Sequence, residues 1–264
     1  MSETRAESTP TPPPGHALLE GKSVLVTAAA GTGIGFATAL RAAQEGARVA
    51  ISDRHERRLG EAAGRLAAET GTEPLAIPCD VTVEKQVGAM VDAAAAHFDG
   101  LDVMVNNAGL GGEKNILEMS DEEWSVVLDV TLNGTFRCTR AALRHMAARG
   151  SGVVVNNASV LGWRAQPRQA HYAAAKAGVM ALTRCAAMDV ADRGVRVNAV
   201  APSIAIHENL AKAAPQELLD RLAAEEAFGR SAEPWEIATT IVFLASDYSA
   251  YMTGEVVSVS SQHP

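Results

Sequence analysis

The chain has 264 residues, of which 47% are hydrophobic, enough to bury a sizeable core in one large α/β domain. Its formal net charge of −8 argues against a general nucleic-acid binder, because a phosphate backbone is met by a basic face. Cys79, Cys138 and Cys185 stand far apart, with neither metal-type spacing nor a disulfide framework, which fits core thiols in a reducing cytoplasm.

Residues 1–17 are rich in Pro, Ser, Thr and Glu and lack the apolar core of a signal peptide, so they read as a disordered tail before a single domain over residues 18–264. No uncharged apolar run approaches the roughly 18 residues of a membrane-spanning helix, and no membrane partner is expected. From Lys22 onward, short β-rich runs alternate with longer Ala-rich helical segments. Strands are expected over residues 23–27, 48–52, 74–77, 101–106, 152–157, 195–200 and 255–259, each mostly apolar as a buried parallel strand should be. The intervening stretches are long enough for helical crossovers, which predicts a doubly wound parallel sheet, the Rossmann arrangement.

The first strand runs into Thr27-Ala28-Ala29-Ala30-Gly31-Thr32-Gly33-Ile34-Gly35 and then a helix from Phe36. Glycines between a first strand and a first helix allow a pyrophosphate to approach the free N–H groups of the helix N-terminus, and Gly33, Ile34 and Gly35 are the residues placed there. The second strand leads to Asp53, where a carboxylate would accept hydrogen bonds from an adenosine ribose and repel a 2′-phosphate, favouring NAD over NADP. Arg54 could instead clamp that phosphate, or be solvated. Asp80, after the third strand, has a reading as the N-cap of a helix over residues 83–98.

Ser159 follows the apolar run Val153-Val154-Val155 and would present its hydroxyl at a strand end. Tyr172 and Lys176 lie one turn apart in an Ala-rich segment, so both leave one helix face. A phenol has a pKa near 10, and an ammonium one turn away would lower it, making Tyr172 a proton donor and acceptor for a carbonyl or alcohol oxygen. None of the seven His residues forms metal-ligand spacing, so no metal is expected.

Ser159, Tyr172, Lys176, the Gly-rich turn and Asn106-Asn107-Ala108-Gly109 together resemble the short-chain dehydrogenase/reductase family in its single-domain form, from about Leu18 onward. The resemblance implies a seven-stranded sheet, a nicotinamide dinucleotide cofactor and a homotetramer or homodimer. It implies Asp80 and Val81 at the adenine, Asn107, Ala108 and Gly109 beside the cofactor ribose, Lys176 on that ribose with Tyr172 close by, and Pro202 and Ala205 near the nicotinamide. Departures are visible. Ala28 replaces the first glycine of the family's phosphate loop, which here carries one extra residue. Thr131 occupies the site of the family's catalytic Asn, whose backbone carbonyl holds a relay water; Thr131 would preserve it if the helix is locally distorted, while Asn133 would face another side. Ser203 replaces the usual Gly and His207 the usual Thr.

Residues 206–229 lie where the family carries substrate-covering helices, and Leu210, Leu218, Leu219, Leu222 and Phe228 read either as core or as pocket lining. With Leu161 and Trp163 they suggest a bulky hydrophobic small-molecule substrate. Arg164, Arg168 and Lys212 would flank the entrance as solvated charges or as a handle for an anionic group such as coenzyme A. The chain is similar to 3-oxoacyl thioester reductases and to actinobacterial reductases of sterol ring fragments. The function expected is therefore a ketone/secondary-alcohol oxidoreductase. Its alternative is a non-catalytic dinucleotide-binding protein; sugar epimerases share the Tyr–Lys pair but carry a further substrate domain.

Overall fold

The computed structural model describes residues 11–206, 211 and 216–261. Seven apolar runs form strands: β1 Ser23–Thr27, β2 Arg48–Asp53, β3 Leu75–Pro78, β4 Val103–Asn106, β5 Gly152–Asn157, β6 Val195–Pro202 and β7 Val256–Val259. All pair in parallel, in the order β3-β2-β1-β4-β5-β6-β7. The boundaries shift from the expected ones by a residue or two, since pairing registers rather than propensity set where a ladder stops. The second strand takes in Asp53 and the sixth runs to Pro202.

Helices cover both faces, as near-continuous apolar strands require. They are α1 Ile34–Gln44, α2 Glu56–Thr70, α3 Glu84–Phe98, α4 Asp121–Leu128, α5 Gly134–Arg149, α6 Ala170–Val190, α7 Gln216–Ala224 and α8 Pro234–Ala245. Val24 and Val26 of β1 join one core with α1, α2 and α8. Leu25, between them, points to the other core with α3, α5 and α6; this is the period-2 alternation of a strand buried on both sides.

Order reverses at β1, which lies between β2 and β4. A crevice therefore opens past the carboxyl ends of β1 and β4, where doubly wound sheets hold their ligands. At the opposite end of α1, a buried ion pair joins Arg41 and Glu45. Burial would raise the Glu45 pKa, but amides of Leu18 and His16 and the Arg41 guanidinium outweigh it and hold the carboxyl low. Arg41 also donates to the carbonyls of Pro13 and Pro14. Cys79 and Cys138 are buried as expected, whereas Cys185 is exposed.

Candidate active site

β5 ends at Asn157, and two residues later Ser159 takes an extended conformation that caps a single 3-10 turn, Val160–Gly162. Its Oγ accepts a hydrogen bond from the Leu161 amide at 3.2 Å. Tyr172 and Lys176 occupy the first two turns of α6, the long helix returning over β5 and β6. Lys176 is 3% exposed; its Nζ donates to the Asn157 carbonyl at 2.6 Å and lies 5.5 Å from the Tyr172 ring centroid.

The electrostatics correct one expectation. Burial pushes the Tyr172 phenol above its ordinary pKa, and a hydrogen bond with the Ser159 side chain offsets only part of that rise. Lys176 is itself desolvated, which lowers its pKa to about 8. A buried ammonium bound to a carbonyl does not overcome the desolvation of its neighbour, so the pair does not by itself produce an acidic phenol.

Thr131 sits in a π-helical turn, Asp129–Asn133, that separates α4 from α5. Such single-turn distortions free backbone groups from the α ladder. The Thr131 hydroxyl accepts from the Leu110 amide at 2.9 Å and donates to the Leu110 carbonyl at 3.2 Å. Its own carbonyl accepts from Thr135 Oγ1 at 2.7 Å. Asn133 turns away to the Asp129 carboxylate, 3.1 Å distant. A Cβ at Gly109 would stand 3.5 Å from Lys176 Nζ and 3.8 Å from Thr131 Oγ1, so Gly109, Thr131 and Lys176 meet.

From Gly109 the crevice extends to the ends of β2 and β3, walled by Asp53, Arg54, Arg58, Asp80, Val81 and Ala108, among others. Thr27 Oγ1 accepts from the amides of Asn107 and Ala108 at 3.0 and 3.1 Å. Asn107 Nδ2 reaches the Thr27 and Ala28 carbonyls, and its Oδ1 accepts from Asn157 Nδ2 at 2.9 Å. Ala28 adopts φ 52°, the left-handed conformation a glycine would take freely, which explains why a loop lacking that glycine still turns. Gly35 is required on packing grounds: a Cβ there would lie 2.4 Å from the Ala28 carbonyl oxygen.

Asp80 is not the cap of α3; Val83 takes that position. The Asp80 carboxylate instead accepts from the Thr82 amide and hydroxyl, at 2.9 and 2.7 Å. These bonds, with Arg54 and Arg137 nearby, outweigh a burial effect of opposite sign and lower its pKa. The residues present fit a dinucleotide: Gly33 caps α1 without a side-chain acceptor, leaving the Ile34 and Gly35 end of the helix open, and the Thr32 hydroxyl is buried without a partner. Among the described residues no cluster suited to a metal ion occurs.

Pro202 ends β6, and Ala205 is tied by an isolated bridge to Ala232, whose amide donates to the Ile204 carbonyl at 2.9 Å. Leu219 is buried, while Phe228 is 74% exposed and Trp163 46% exposed. Arg168 is exposed in a left-handed conformation, φ 66°, and its carbonyl accepts from the Lys114 amide at 2.9 Å. His207, Leu210 and Lys212 lie outside the described residues.

Several contacts had no signature in the sequence. The Asn157 and Leu110 partners act through backbone atoms, which no side-chain pattern marks. Thr27 was visible as a strand-end residue but not as an acceptor for two amides. His171, 3% exposed, accepts from the Tyr172 amide through Nδ1 at 2.9 Å; its place beside Tyr172 was the available clue.

The family model described as Enoyl-(Acyl carrier protein) reductase matches residues 28–261. The chain is 64% identical over 251 residues to the (5R,7aS)-5-hydroxy-7a-methyl-1-oxo-2,3,5,6,7,7a-hexahydro-1H-indene-carboxyl-CoA reductase of Mycobacterium tuberculosis, covering 95% of this chain and 96% of that one. It is 37% identical to a 3-oxoacyl-[acyl-carrier-protein] reductase of Staphylococcus aureus, covering 90% and 96%. A crystal structure of a short chain dehydrogenase from Mycobacterium smegmatis superimposes with a TM-score of 0.86 at 57% identity, covering 97% of this chain and 99% of that one. No helix among the described residues is long and apolar enough to cross a membrane.

Proposed function

We propose a function from one premise: the chain belongs to the short-chain dehydrogenase/reductase family. It is an oxidoreductase that interconverts a ketone and a secondary alcohol on a fused-ring acid carried as a coenzyme A thioester, of the kind released from sterol rings. The observation that carries the reading is the convergence of Ser159, Tyr172 and Lys176 beside the crevice in a chain so similar to a ring-carboxyl-CoA reductase.

The nicotinamide dinucleotide, when bound, supplies or accepts the hydride. Gly33, Ile34 and Gly35 would hold its pyrophosphate, Asp53 the adenosine ribose, and Asp80 with Val81 the adenine. Asn107, Ala108, Gly109, Tyr172 and Lys176 would line the nicotinamide ribose, and Pro202 with Ala205 the nicotinamide. Asp53 at the end of β2 supports NAD over NADP, since a carboxylate repels a 2′-phosphate.

In reduction, a C–H bond forms at the carbonyl carbon while the carbonyl oxygen takes the Tyr172 proton. Ser159 would hold that oxygen. A phenol raised by burial stays protonated at neutral pH, which suits the reductive direction. Lys176 would support the transient phenolate, and the distorted turn at Thr131 would hold the water that returns its proton.

Exposed Trp163 and Phe228 with half-buried Leu161 offer apolar surface for a ring system, and exposed Arg168 suits an anionic handle. A non-catalytic binding protein is disfavoured, because it has no use for the retained Ser–Tyr–Lys set. Exposed Phe243, Tyr248 and Tyr251 support a homodimer or homotetramer, and three free cysteines fit a cytoplasmic setting. The direct test follows nicotinamide absorbance with a fused-ring oxo-acyl thioester: turnover supports the reading, and cofactor binding without turnover on any ketone or alcohol refutes it.

A further inference from the structure

Arg65, on the exposed side of α2, reaches back to the loop joining β1 to α1. Its Nη2 donates to the Gly31 carbonyl at 2.7 Å, and its guanidinium carbon lies 4.3 Å from the centroid of the Phe36 ring. One side chain therefore touches the loop on both sides of the helix start: Gly31 before it and Phe36, 8% exposed, in its first turn. A planar guanidinium can stack and donate at once, which a lysine cannot reproduce.

The loop has reason to need such an anchor. It is one residue longer than the family spacing, its turn is made by an alanine at φ 52°, and Gly33 gives α1 no side-chain cap. A trans peptide unit is planar, so the Gly31 carbonyl and the Thr32 amide point in opposite directions. Holding that carbonyl toward α2 directs the Thr32 N–H away from it. The Thr32 hydroxyl is also buried without a hydrogen-bond partner, a costly state that a ligand oxygen would relieve. Two donors beside an open helix N-terminus suit a phosphate oxygen.

We infer that Arg65 is a positioning residue that fixes the lengthened loop so that Thr32 donates to the pyrophosphate of the dinucleotide. This rests on the reading of the crevice as a dinucleotide site. Arg65 acts through Gly31 and Thr32 and need not touch the cofactor.

Dissociation constants for NADH, ADP-ribose and adenosine, measured by fluorescence or calorimetric titration on the full chain, provide the test. Arg65→Ala and Thr32→Val should each weaken NADH and ADP-ribose roughly tenfold, the scale of one hydrogen bond to a charged group, and leave adenosine within twofold. Arg65→Lys should recover part of the loss. The double variant should be little worse than either single one, because both remove the same contact. Independent losses that multiply to about a hundredfold would mean that Arg65 acts as a distant charge, and Arg65→Ala within twofold of the native chain would remove its role; either overturns the inference. Failure of the native chain to bind any dinucleotide would instead overturn the cofactor reading, and this inference with it. Thermal denaturation of each variant separates loss of binding from loss of fold; should Arg65→Ala not fold, Arg65→Lys and Thr32→Val decide.

Discussion

The ammonium of Lys176 donates to the main-chain carbonyl of Asn157 at 2.6 Å, which joins the helix bearing Tyr172 to the strand end that leads into Ser159. The bond turns two sequence-distant elements into one site, and it does so with a charge that is almost wholly removed from water.

That charge has a stability cost with a definite sign. A base whose folded pKa falls from 10.5 to about 8 binds fewer protons than the unfolded chain between those values, so stability rises with pH there. Below pH 8 the buried charge costs roughly 3 kcal/mol. Lys176→Met should therefore stabilise the protein at pH 7 by about 2 kcal/mol once the lost Asn157 bond is subtracted, with the gain shrinking by pH 10, while turnover is lost. Denaturant melts at the two pH values check this, and a destabilised variant at pH 7 would count against it.

Tyr172→Phe removes the hydroxyl proposed as proton donor and keeps the ring. Reductive turnover should fall about 10²–10⁴-fold, with the dissociation constant for the dinucleotide changed less than threefold. Because burial raises the native phenol, reduction should hold its rate through neutral pH, whereas oxidation, which needs the phenolate, should quicken as pH rises. Initial rates in both directions from pH 6 to 9.5 read this out.

Thr131 anchors Leu110 through its hydroxyl and leaves its carbonyl in a π turn. Thr131→Val, which deletes both hydroxyl bonds, should cost about 1–3 kcal/mol of stability. Thr131→Asn should alter the reductive rate by less than threefold if the carbonyl carries the relay; a large gain in rate would show that the native hydroxyl limits proton return.

Asp53→Ala should shift the balance of affinities toward NADPH, since it removes a carboxylate that would repel a 2′-phosphate while Arg54 and Arg58 still line the crevice. Titration of both cofactors against the native and variant chains gives the ratio, and an unchanged ratio would remove the role assigned to Asp53.

Much of this was legible in the sequence. The seven strands followed from apolar runs between Ala-rich segments, and Tyr172 with Lys176 from one-turn spacing, because both signals are local. Asn106, which donates to Asn156 and Thr139, could be expected to tie strands together, but its partners could not be named. What escaped was set by burial and by main-chain atoms. The upward shift of Tyr172 depends on how much protein surrounds the phenol, and the Asn157 carbonyl carries no residue signature. Arg65 looked like any surface arginine on an amphipathic helix; only the fold brings it to Gly31, thirty-four positions away in the chain.

The proposed chemistry is reduction, by Tyr172 and its neighbours, of a ketone on a fused-ring coenzyme A thioester. The most direct measurement compares kcat/KM, with NADH and with NADPH, for a bicyclic oxo-acyl-CoA, a linear 3-oxoacyl-CoA and the bicyclic free acid. The bicyclic thioester should exceed the other two by at least about tenfold, the worth of a well-buried methylene or two of ring surface. Equal or better turnover of the linear thioester would contradict the ring, of the free acid the coenzyme A handle, and no turnover of any ketone would contradict the enzyme.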